Sequence, residues 1–133
     1  MEEYLTRLLY DILGAAMEVY NTLGPGLLES VYEKALLREL EIRGIYATSQ
    51  VPVEIVYKGK VVGNDLRIDL LVENEIVVEL KSVEELQRVH YKQLRTYMQL
   101  LNLPVGLLVN FGEGDFMKGM ITLENKQYIH HED

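Results

Sequence analysis

The stretch VGNDLRIDLLVENEIVVELKS, residues 62–82, carries two apolar runs on either side of a short polar segment. Apolar and polar residues alternate in both runs, and this period of two predicts a pair of β-strands. The polar segment, centred on Asn74, predicts the turn between them. The stretch is therefore expected to form a central β-hairpin, and the ionisable residues along it need an explanation.

The register of this hairpin follows from a turn centred on Asn74. In that register Asp69 lies opposite Glu79 and Arg67 lies opposite Lys81, with facing Cβ atoms about 4.5–5.5 Å apart. Because side chains alternate between the faces of a strand, all four are expected on one face. The other face takes apolar side chains, namely Leu66, Ile68, Leu70, Val78 and Leu80.

The facing carboxylates have two interpretations. Close carboxylates repel each other unless a cation lies between them, and Mg²⁺ prefers such oxygen ligands. Lys81, two residues after Glu79, would then direct a positive charge at a phosphate and at the water that attacks it. Alternatively, the hairpin is half solvated and alternating charges cover its wet face. Taken alone, the hairpin favours this second interpretation.

The whole chain predicts elements in the order α, α, β, β, β, β, α, β, β. Apolar spacing predicts helices over residues 3–22, 27–43 and 83–102. Strands are expected over residues 51–57 and 60–62, in the hairpin, and over residues 105–111 and 117–123. The nearly continuous apolar run at 105–111 is typical of a strand covered on both faces, so the third helix would cross over between parallel strands. The prediction is an α/β domain with a mixed β-sheet flanked by helices.

The third helix carries polar residues within its apolar arc. The arc comprises Leu86, Val89, Leu94, Tyr97, Leu100 and Leu101, and the opposite, wet stripe comprises Arg88, Lys92, Arg95 and Gln99. His90 and Gln93 fall inside the arc, where a buried polar group needs a partner. Gln93 and Tyr97 are four residues apart and point the same way. His90 is either a satisfied core histidine or a functional residue, and for Gln93 the functional interpretation is favoured.

Glu29 presents the same question on the second helix. The apolar arc of that helix comprises Leu28, Val31, Tyr32, Ala35, Leu36 and Leu40. Glu29 falls inside this arc, and so does Glu39, which lies near the helix end and can reach water. A carboxylate in the first turn is also favoured by the helix dipole, so Glu29 has a structural as well as a functional interpretation.

Four elements, in order along the chain, resemble one known family. Residues 26–32, GLLESVY, match the pattern G-x-x-E-x-x-Y, and Asp69 ends a strand. Residues 79–81 match E-x-K, and residues 93–97 match Q-x-x-x-Y. The chain thereby resembles the GxxExxY family, a branch of the PD-(D/E)XK nuclease superfamily with recombination-nuclease-like members. Ile68 stands where the superfamily name has proline.

The resemblance implies a restriction-endonuclease-like fold and metal-assisted hydrolysis of phosphodiester bonds. Asp69 and Glu79 would bind Mg²⁺ or Mn²⁺, with the Leu80 carbonyl as a further ligand. Glu29 would join the metal site directly or through water. Lys81 would orient or activate the attacking water and stabilise the pentacovalent phosphate.

Three further residues receive a supporting role from the resemblance. Gln93 would act with Lys81 in catalysis or hold the nucleic-acid backbone. Tyr97 would help to position these groups. Tyr32, the last residue of the first motif, is assigned to substrate positioning.

Composition limits the partners. The chain, residues 1–133, has the length of a single domain, and it has no Cys, which excludes disulfides and thiolate metal sites. No apolar run is long enough to cross a bilayer, and a cytoplasmic location is expected. The net charge of −8 predicts weak, salt-sensitive binding to nucleic acid. DNA is expected as the partner more than RNA. Apolar residues on several sides of the first helix are consistent with a homodimer. His130 and His131 are interpreted as a solvated tail.

Three functions remain open from the sequence. The first is a Mg²⁺-dependent nuclease. The second is a nuclease-like fold that acts as a nucleic-acid or protein binding or assembly module, which the acidic charge favours. The third is another hydrolase with two acids, such as a glycosidase, in which Lys81 would have no clear role.

Overall fold

The computed structural model describes residues 1–130, so that His131 of the expected tail lies outside the described residues, while His130 is exposed. The helices are α1 (Glu3–Leu23), α2 (Glu29–Ile42) and α3 (Arg88–Leu101), and the strands are β1 (Ala47–Tyr57), β2 (Lys60–Val72), β3 (Ile76–Lys81), β4 (Val105–Asn110) and β5 (Met120–Glu124), with a short 3-10 helix at Phe116–Gly119. None of the helices within residues 1–130 combines the length and apolar character that a bilayer crossing demands.

The strands form one mixed sheet in the order β1-β2-β3-β4-β5. Neighbouring strands are antiparallel except β3 and β4, which are parallel and joined by α3. All six residues of β4 are buried, as expected for a strand covered on both faces. The expected class, a mixed sheet flanked by helices, is therefore confirmed.

The sheet has five strands where the sequence predicts six. The predicted strand at residues 60–62 and the first strand of the central hairpin are one continuous strand, β2. The pairing of Gly63 with Ile55 lies between two shifts in the β1–β2 register. Such bulges accommodate extra residues without ending a strand, so Gly63 and Asn64 bend β2 and do not interrupt it.

Two apolar clusters cover the sheet, one on each face. On one face, α1 and α2 pack on side chains that include Leu70, Val78 and Leu80. On the other face, α3 packs on Val53, Ile68 and Val77. The expectation that Leu66 and Ile68 share a face with Leu70 is wrong, because they belong to the α3 cluster. The strand changes face at Asp69, where the β1–β2 ladder has no pair and the opposite residue, Gln50, has a φ of 51°.

Two helices begin later than expected. Helix α3 starts at Arg88 and not near residue 83, and α2 starts at Glu29 and not at Leu27. Several members of the predicted arcs are exposed: Leu28, Val31, Val89 and Leu100. Gln93 is exposed as well, whereas Met98, which was not predicted, is buried with Leu94 and Tyr97. The predicted wet stripe of α3, Arg88, Lys92, Arg95 and Gln99, is exposed as expected.

Candidate active site

The candidate site lies where β2 separates from β3. The ladder between these strands contains three pairs, from Val72↔Ile76 to Leu70↔Val78, and these pairs have the predicted register. Beyond them, the Asp69 amide donates to Glu79 Oε1 at 3.1 Å, and the Leu80 amide donates to Asp69 Oδ2 at 2.8 Å. The two carboxylates thus replace the next step of the ladder, and each binds the backbone of the opposite strand.

The second predicted pair, Arg67 opposite Lys81, is not formed. Arg67 pairs with Pro52 of β1, and its guanidinium donates to the carbonyls of Asn64 and Leu66. The reason is that β3 stops at Lys81 while β2 turns away from it at Asp69. Arg67 is therefore exposed and lies outside the carboxylate pair.

Glu79 is the buried member of the carboxylate pair, with 5% of its surface exposed. Burial is the larger cause and the negative charge of Asp69 the next, and together they raise the pKa of Glu79 to about 8. The hydrogen bond from the Asp69 amide and the charge of Lys81 act in the opposite direction on this pKa. Without a cation, the carboxyl groups of Asp69 and Glu79 therefore share one bound proton near neutral pH.

Lys81, His90 and Glu29 come from three elements and influence one another. Burial and the positive charge of Lys81 lower the pKa of His90, and the negative charge of Glu29 raises it. His90 is half-buried at the start of α3, and its Nδ1 accepts a hydrogen bond from the Gln87 amide at 2.9 Å. This bond completes a capping box with the Gln87 side chain. His90 is therefore neither a core histidine nor free to rotate, and the neutral ring carries its proton on Nε2.

Glu29 reaches this region because of the loop that precedes α2. Gly26 has a φ of 101°, a left-handed conformation that favours glycine. The Tyr32 hydroxyl donates to the Gly24 carbonyl and accepts from the Leu27 amide at 3.1 Å. The Ser82 hydroxyl donates to the Leu27 carbonyl at 2.8 Å, which ties the loop to the end of β3. The loop thus presents Glu29 to the pocket that Asp69 lines and to the surroundings of His90.

Tyr32 does not have the exposure that substrate positioning requires. Its side chain is fully buried, and its ring stacks on Phe111 with centroids 4.2 Å apart. Both hydrogen bonds of its hydroxyl are made within the loop of residues 24–28. The expected contact with substrate is therefore corrected, and Tyr32 instead holds the loop that carries Glu29.

A small pocket connects Glu29 with Asp69. It has a volume of about 200 Å³ and is lined by Glu29, Ser30, Glu33, Gln50 and Asp69. Burial raises the pKa of Glu33, a hydrogen bond from Gln50 lowers it, and the charge of Asp69 raises it. The sequence analysis missed Glu33, although it lies four residues after Glu29 and hence on the same side of α2. It also missed Gln50, which nothing in the local sequence distinguishes.

Gln93 and Tyr97 form the predicted pair on α3. Gln93 Nε2 donates to the Tyr97 hydroxyl at 3.0 Å, and Tyr97 is 4% exposed. Burial raises the pKa of Tyr97, and the negative charge of Glu79 raises it further. The pair therefore stands beside the carboxylates, with Gln93 on the solvent side.

Asn110 was not predicted and fixes the segment after Lys81. Its side chain is fully buried, its Oδ1 accepts from the amides of Val83 and Gly112 at 3.0 Å, and its Nδ2 donates to the Val83 carbonyl at 2.9 Å. A Cβ on Gly112 would lie 2.3 Å from the Val83 carbonyl oxygen, so a larger residue cannot occupy this position without a shift. These contacts explain why residues 83–87 are a loop and not the first turn of α3.

The donors fit a divalent cation held by two carboxylates. Within residues 1–130, no three His, Cys, Asp or Glu side chains come together as a metal-binding group. The two carboxylates in question are those of Asp69 and Glu79. Each of those two carboxylates keeps one oxygen that is not used on the backbone amides. The Phe111 amide donates to the Lys81 carbonyl, so the Lys81 backbone faces β4 and that of Leu80, by alternation, faces β2. The Leu80 carbonyl is thus directed to the carboxylate side, as hard-cation coordination requires.

Comparison with known families gives one result. A model of the PD-(D/E)XK nuclease superfamily matches residues 6–123, a range that includes every residue of the candidate site. The searches of the curated proteins and of the solved structures found no match.

Proposed function

Because this chain belongs to the PD-(D/E)XK nuclease superfamily, we propose that it hydrolyses phosphodiester bonds of nucleic acid in a Mg²⁺-dependent reaction, which Mn²⁺ would also support. The observation that carries the proposal is the pair of hydrogen bonds by which Asp69 and Glu79 each bind the opposite strand where β2 leaves β3. This arrangement brings two hard-oxygen donors together beside Lys81. Repulsion between the carboxylates favours a divalent cation in that position.

Three donors of this chain would hold the cation: Asp69, Glu79 and the Leu80 carbonyl. When bound, the ion would act as a Lewis acid on the scissile phosphate and promote deprotonation of water. Glu79 must lose its proton to serve as a ligand, because the pKa of this residue is about 8 without a cation. Glu29, which lines the same pocket as Asp69, would take part directly or through a water molecule.

Lys81 directs its ammonium group at the attacking water and at the negative charge that develops on the phosphate. An ammonium held in place before the reaction stabilises this charge without further reorganisation. Gln93, anchored to Tyr97, positions Lys81 or the nucleic-acid backbone. Tyr97 acts through Gln93, because its own hydroxyl is buried.

The narrower assignments rest on the motif of residues 26–32. Gly26 forms the left-handed turn, Tyr32 fixes the loop, and Glu29 is presented to the site. This division of labour supports membership of the GxxExxY branch with recombination-nuclease-like relatives. DNA is the proposed substrate, the proposed location is the cytoplasm, and a homodimer is the proposed assembly.

Cleavage assays with matched variants test the proposal. Wild type is incubated with labelled duplex and single-stranded DNA, with Mg²⁺ or with EDTA. Asp69→Asn and Lys81→Met should each lower the cleavage rate roughly 100-fold or more. Asp65→Asn and Lys126→Met make the same chemical changes at exposed positions and should leave the rate unchanged. Cleavage by Asp69→Asn at the wild-type rate would refute the assignment.

One observation favours a second function, a binding or assembly module without catalysis. Asp69 and Glu79 already serve the backbone as hydrogen-bond acceptors, which gives them a structural duty in any relative with this fold. Binding of nucleic acid or of a protein, with no cleavage in Mg²⁺ or Mn²⁺, would support this function over the first.

A further inference from the structure

The tip of the β1–β2 hairpin projects from the fold as a free two-stranded arm. The arm comprises residues 55–63, and its turn is formed by Lys58 and Gly59, with φ values of 47° and 82°. Four large apolar side chains of the arm are 45–63% exposed: Val56, Tyr57, Val61 and Val62. The α3 cluster covers β1 and β2 only as far out as Val53 and Leu66. The arm therefore exposes apolar side chains that pack on neither cluster of the core.

The arm extends from the edge of the sheet that carries the candidate site. Strands β2 and β3 are antiparallel and pair only from Leu70 to Val72 of β2. The residues of β2 before Asp69 consequently lie past the carboxyl end of β3, where Glu79 and Lys81 are found. Nine residues separate Asp69 from Lys60, a span of roughly 30 Å in an extended strand. The tip of the arm therefore lies roughly this far from the carboxylates, beyond the carboxyl end of β3.

The charge of the arm is opposite to that of the chain. Lys58 lies in the turn and Lys60 follows it, and residues 55–63 contain no Asp or Glu, in a protein of net charge −8. The nearest acids along the chain, Glu54 and Asp65, lie outside the arm. Lys58 Nζ lies 5.4 Å from the centroid of the Tyr57 ring, so the ammonium and the ring share the tip. The arm is thus complementary to a polyanion, in contrast to the net acidic charge of the chain.

The shape of the arm selects among polyanions. The major groove of B-form DNA admits a two-stranded β-ribbon, whereas the deep, narrow major groove of A-form RNA does not. Two register shifts, on either side of the Ile55–Gly63 pair, bend and twist the ribbon. Exposed valine and tyrosine side chains can contact base edges and thymine methyl groups, which are found in this groove.

We propose that the arm of residues 55–63 enters the major groove of duplex DNA, with its tip roughly 30 Å from the scissile bond and with Lys58 and Lys60 bound to phosphates. This inference rests on the proposed function for the position of the scissile bond, and it names duplex DNA as the substrate class. The arm anchors the duplex, while the acidic body of the protein contacts it only at the carboxylate site.

The test measures binding without cleavage. Fluorescence anisotropy in EDTA follows a labelled DNA duplex, a single strand of the same sequence and the matching RNA duplex, between roughly 50 and 200 mM salt. The arm variant is Lys58→Ala/Lys60→Ala. The matched control is Arg7→Ala/Lys126→Ala. It removes the same charge from exposed positions around the turn between β2 and β3, which lies at the end of β2 opposite to the arm.

For duplex DNA, the slope of log K against log salt should become less steep by about 2 in the arm variant, since two phosphate contacts are lost. The control variant should keep the wild-type slope, and binding of the RNA duplex should be equal in wild type and arm variant. An unchanged slope in the arm variant would overturn the inference, and so would an equal change of slope in the control variant. An equal loss of binding to single strands or to the RNA duplex would also overturn it. A dimer that dissociates only in the arm variant, seen by sedimentation, would assign the arm to a second copy and also overturn it.

The cleavage assay separates this inference from the proposed function. Cleavage that is lost in Asp69→Asn, together with an unchanged slope in the arm variant, would reject the arm and retain the nuclease. An arm-dependent slope in a protein that cleaves nothing would retain the arm and reject the nuclease.

Discussion

Glu79 links the acid–base state of the site to the stability of the fold. In the unfolded chain its carboxyl group ionises near pH 4.5, whereas burial and Asp69 raise the pKa of the folded state to about 8. Between these values the folded state holds one more proton than the unfolded state. Stability must therefore fall as the pH rises through this window, by at most about 1.4 kcal/mol per pH unit.

The variant Glu79→Gln should remove this pH dependence in the absence of metal. The glutamine oxygen still accepts from the Asp69 amide, and it carries no charge to bury. We expect wild type to lose about 1–2 kcal/mol relative to Glu79→Gln between about pH 6 and pH 8, measured by urea unfolding in EDTA. Glu124→Gln, at an exposed position, should follow wild type. Parallel curves for wild type and Glu79→Gln would show that Glu79 ionises normally.

His90 makes the start of α3 sensitive to acid. Its Nδ1 must be unprotonated to accept from the Gln87 amide. Burial and Lys81 hold the pKa of His90 below its ordinary value of 6.5, against the opposing charge of Glu29. The stabilisation is therefore complete above about pH 6.5 and is lost as the pH falls through the lower folded-state pKa.

Replacement of His90 tests this capping role. His90→Ala should cost about 1 kcal/mol near pH 7.5, and the difference from wild type should shrink on acidification. Glutamine, the usual residue at this position of a capping box, should keep the cap without a titrating group. Thermal melting of wild type, His90→Ala and His90→Gln from about pH 5 to pH 8 makes the comparison. A constant difference between His90→Ala and wild type would contradict the proposed bond.

At the scale of elements, the loop before α2 connects that helix to the sheet through side-chain hydrogen bonds. The Tyr32 hydroxyl bonds to Gly24 and Leu27, and the Ser82 hydroxyl, at the end of β3, bonds to Leu27. The Tyr32 ring begins a row of four aromatic rings in contact, in the order Tyr32, Phe111, Phe116 and Tyr20. The position of Glu29 thus depends on contacts from three distant parts of the chain.

Tyr32→Phe should loosen this loop while the ring stack stays intact. Two hydrogen bonds are lost, one of them from the Leu27 amide, at a cost of about 1–3 kcal/mol. Hydrogen exchange of the Leu27 amide should accelerate more than exchange in the β4 strand. Tyr20→Phe is the matched control, because Tyr20 belongs to the same stack but its hydroxyl contacts Glu113. Equal protection of the Leu27 amide from hydrogen exchange in both variants would contradict this role of the Tyr32 hydroxyl.

The elements also show what the sequence could and could not reveal. The hairpin of β2 and β3 was predictable because its turn and its alternation are local. The change of face at Asp69 was not, since it depends on Gln50 in another strand. Asn110 was missed and His90 was left undecided. The spacing of apolar residues reveals neither the bonds of Asn110 to Val83 nor the capping box of His90. Val89 and Leu100 are exposed, so apolar spacing alone does not identify the buried face of a helix.

At the scale of the whole molecule, the proposed cation binding would be coupled to folding. A ligand that binds only the folded state raises stability by roughly 3 kcal/mol at a hundredfold excess over its Kd. Mg²⁺ should therefore raise the melting temperature of wild type, and more at about pH 8 than at pH 6, because Glu79 must release its proton. Asp69→Ala should abolish the shift and Asp65→Ala should retain it. A shift of wild-type size in Asp69→Ala would place the cation elsewhere.

The hydrogen bonds of Asp69 and Glu79 across the gap between β2 and β3 have a consequence for reading related sequences. A relative without the proposed nuclease activity would still need both acids to close the sheet at this point. Their presence in a sequence is therefore weak evidence for catalysis. The Lys81 ammonium takes part in none of the ion pairs within residues 1–130, so a substitution of Lys81 would be the more informative sign that a relative lacks the proposed activity.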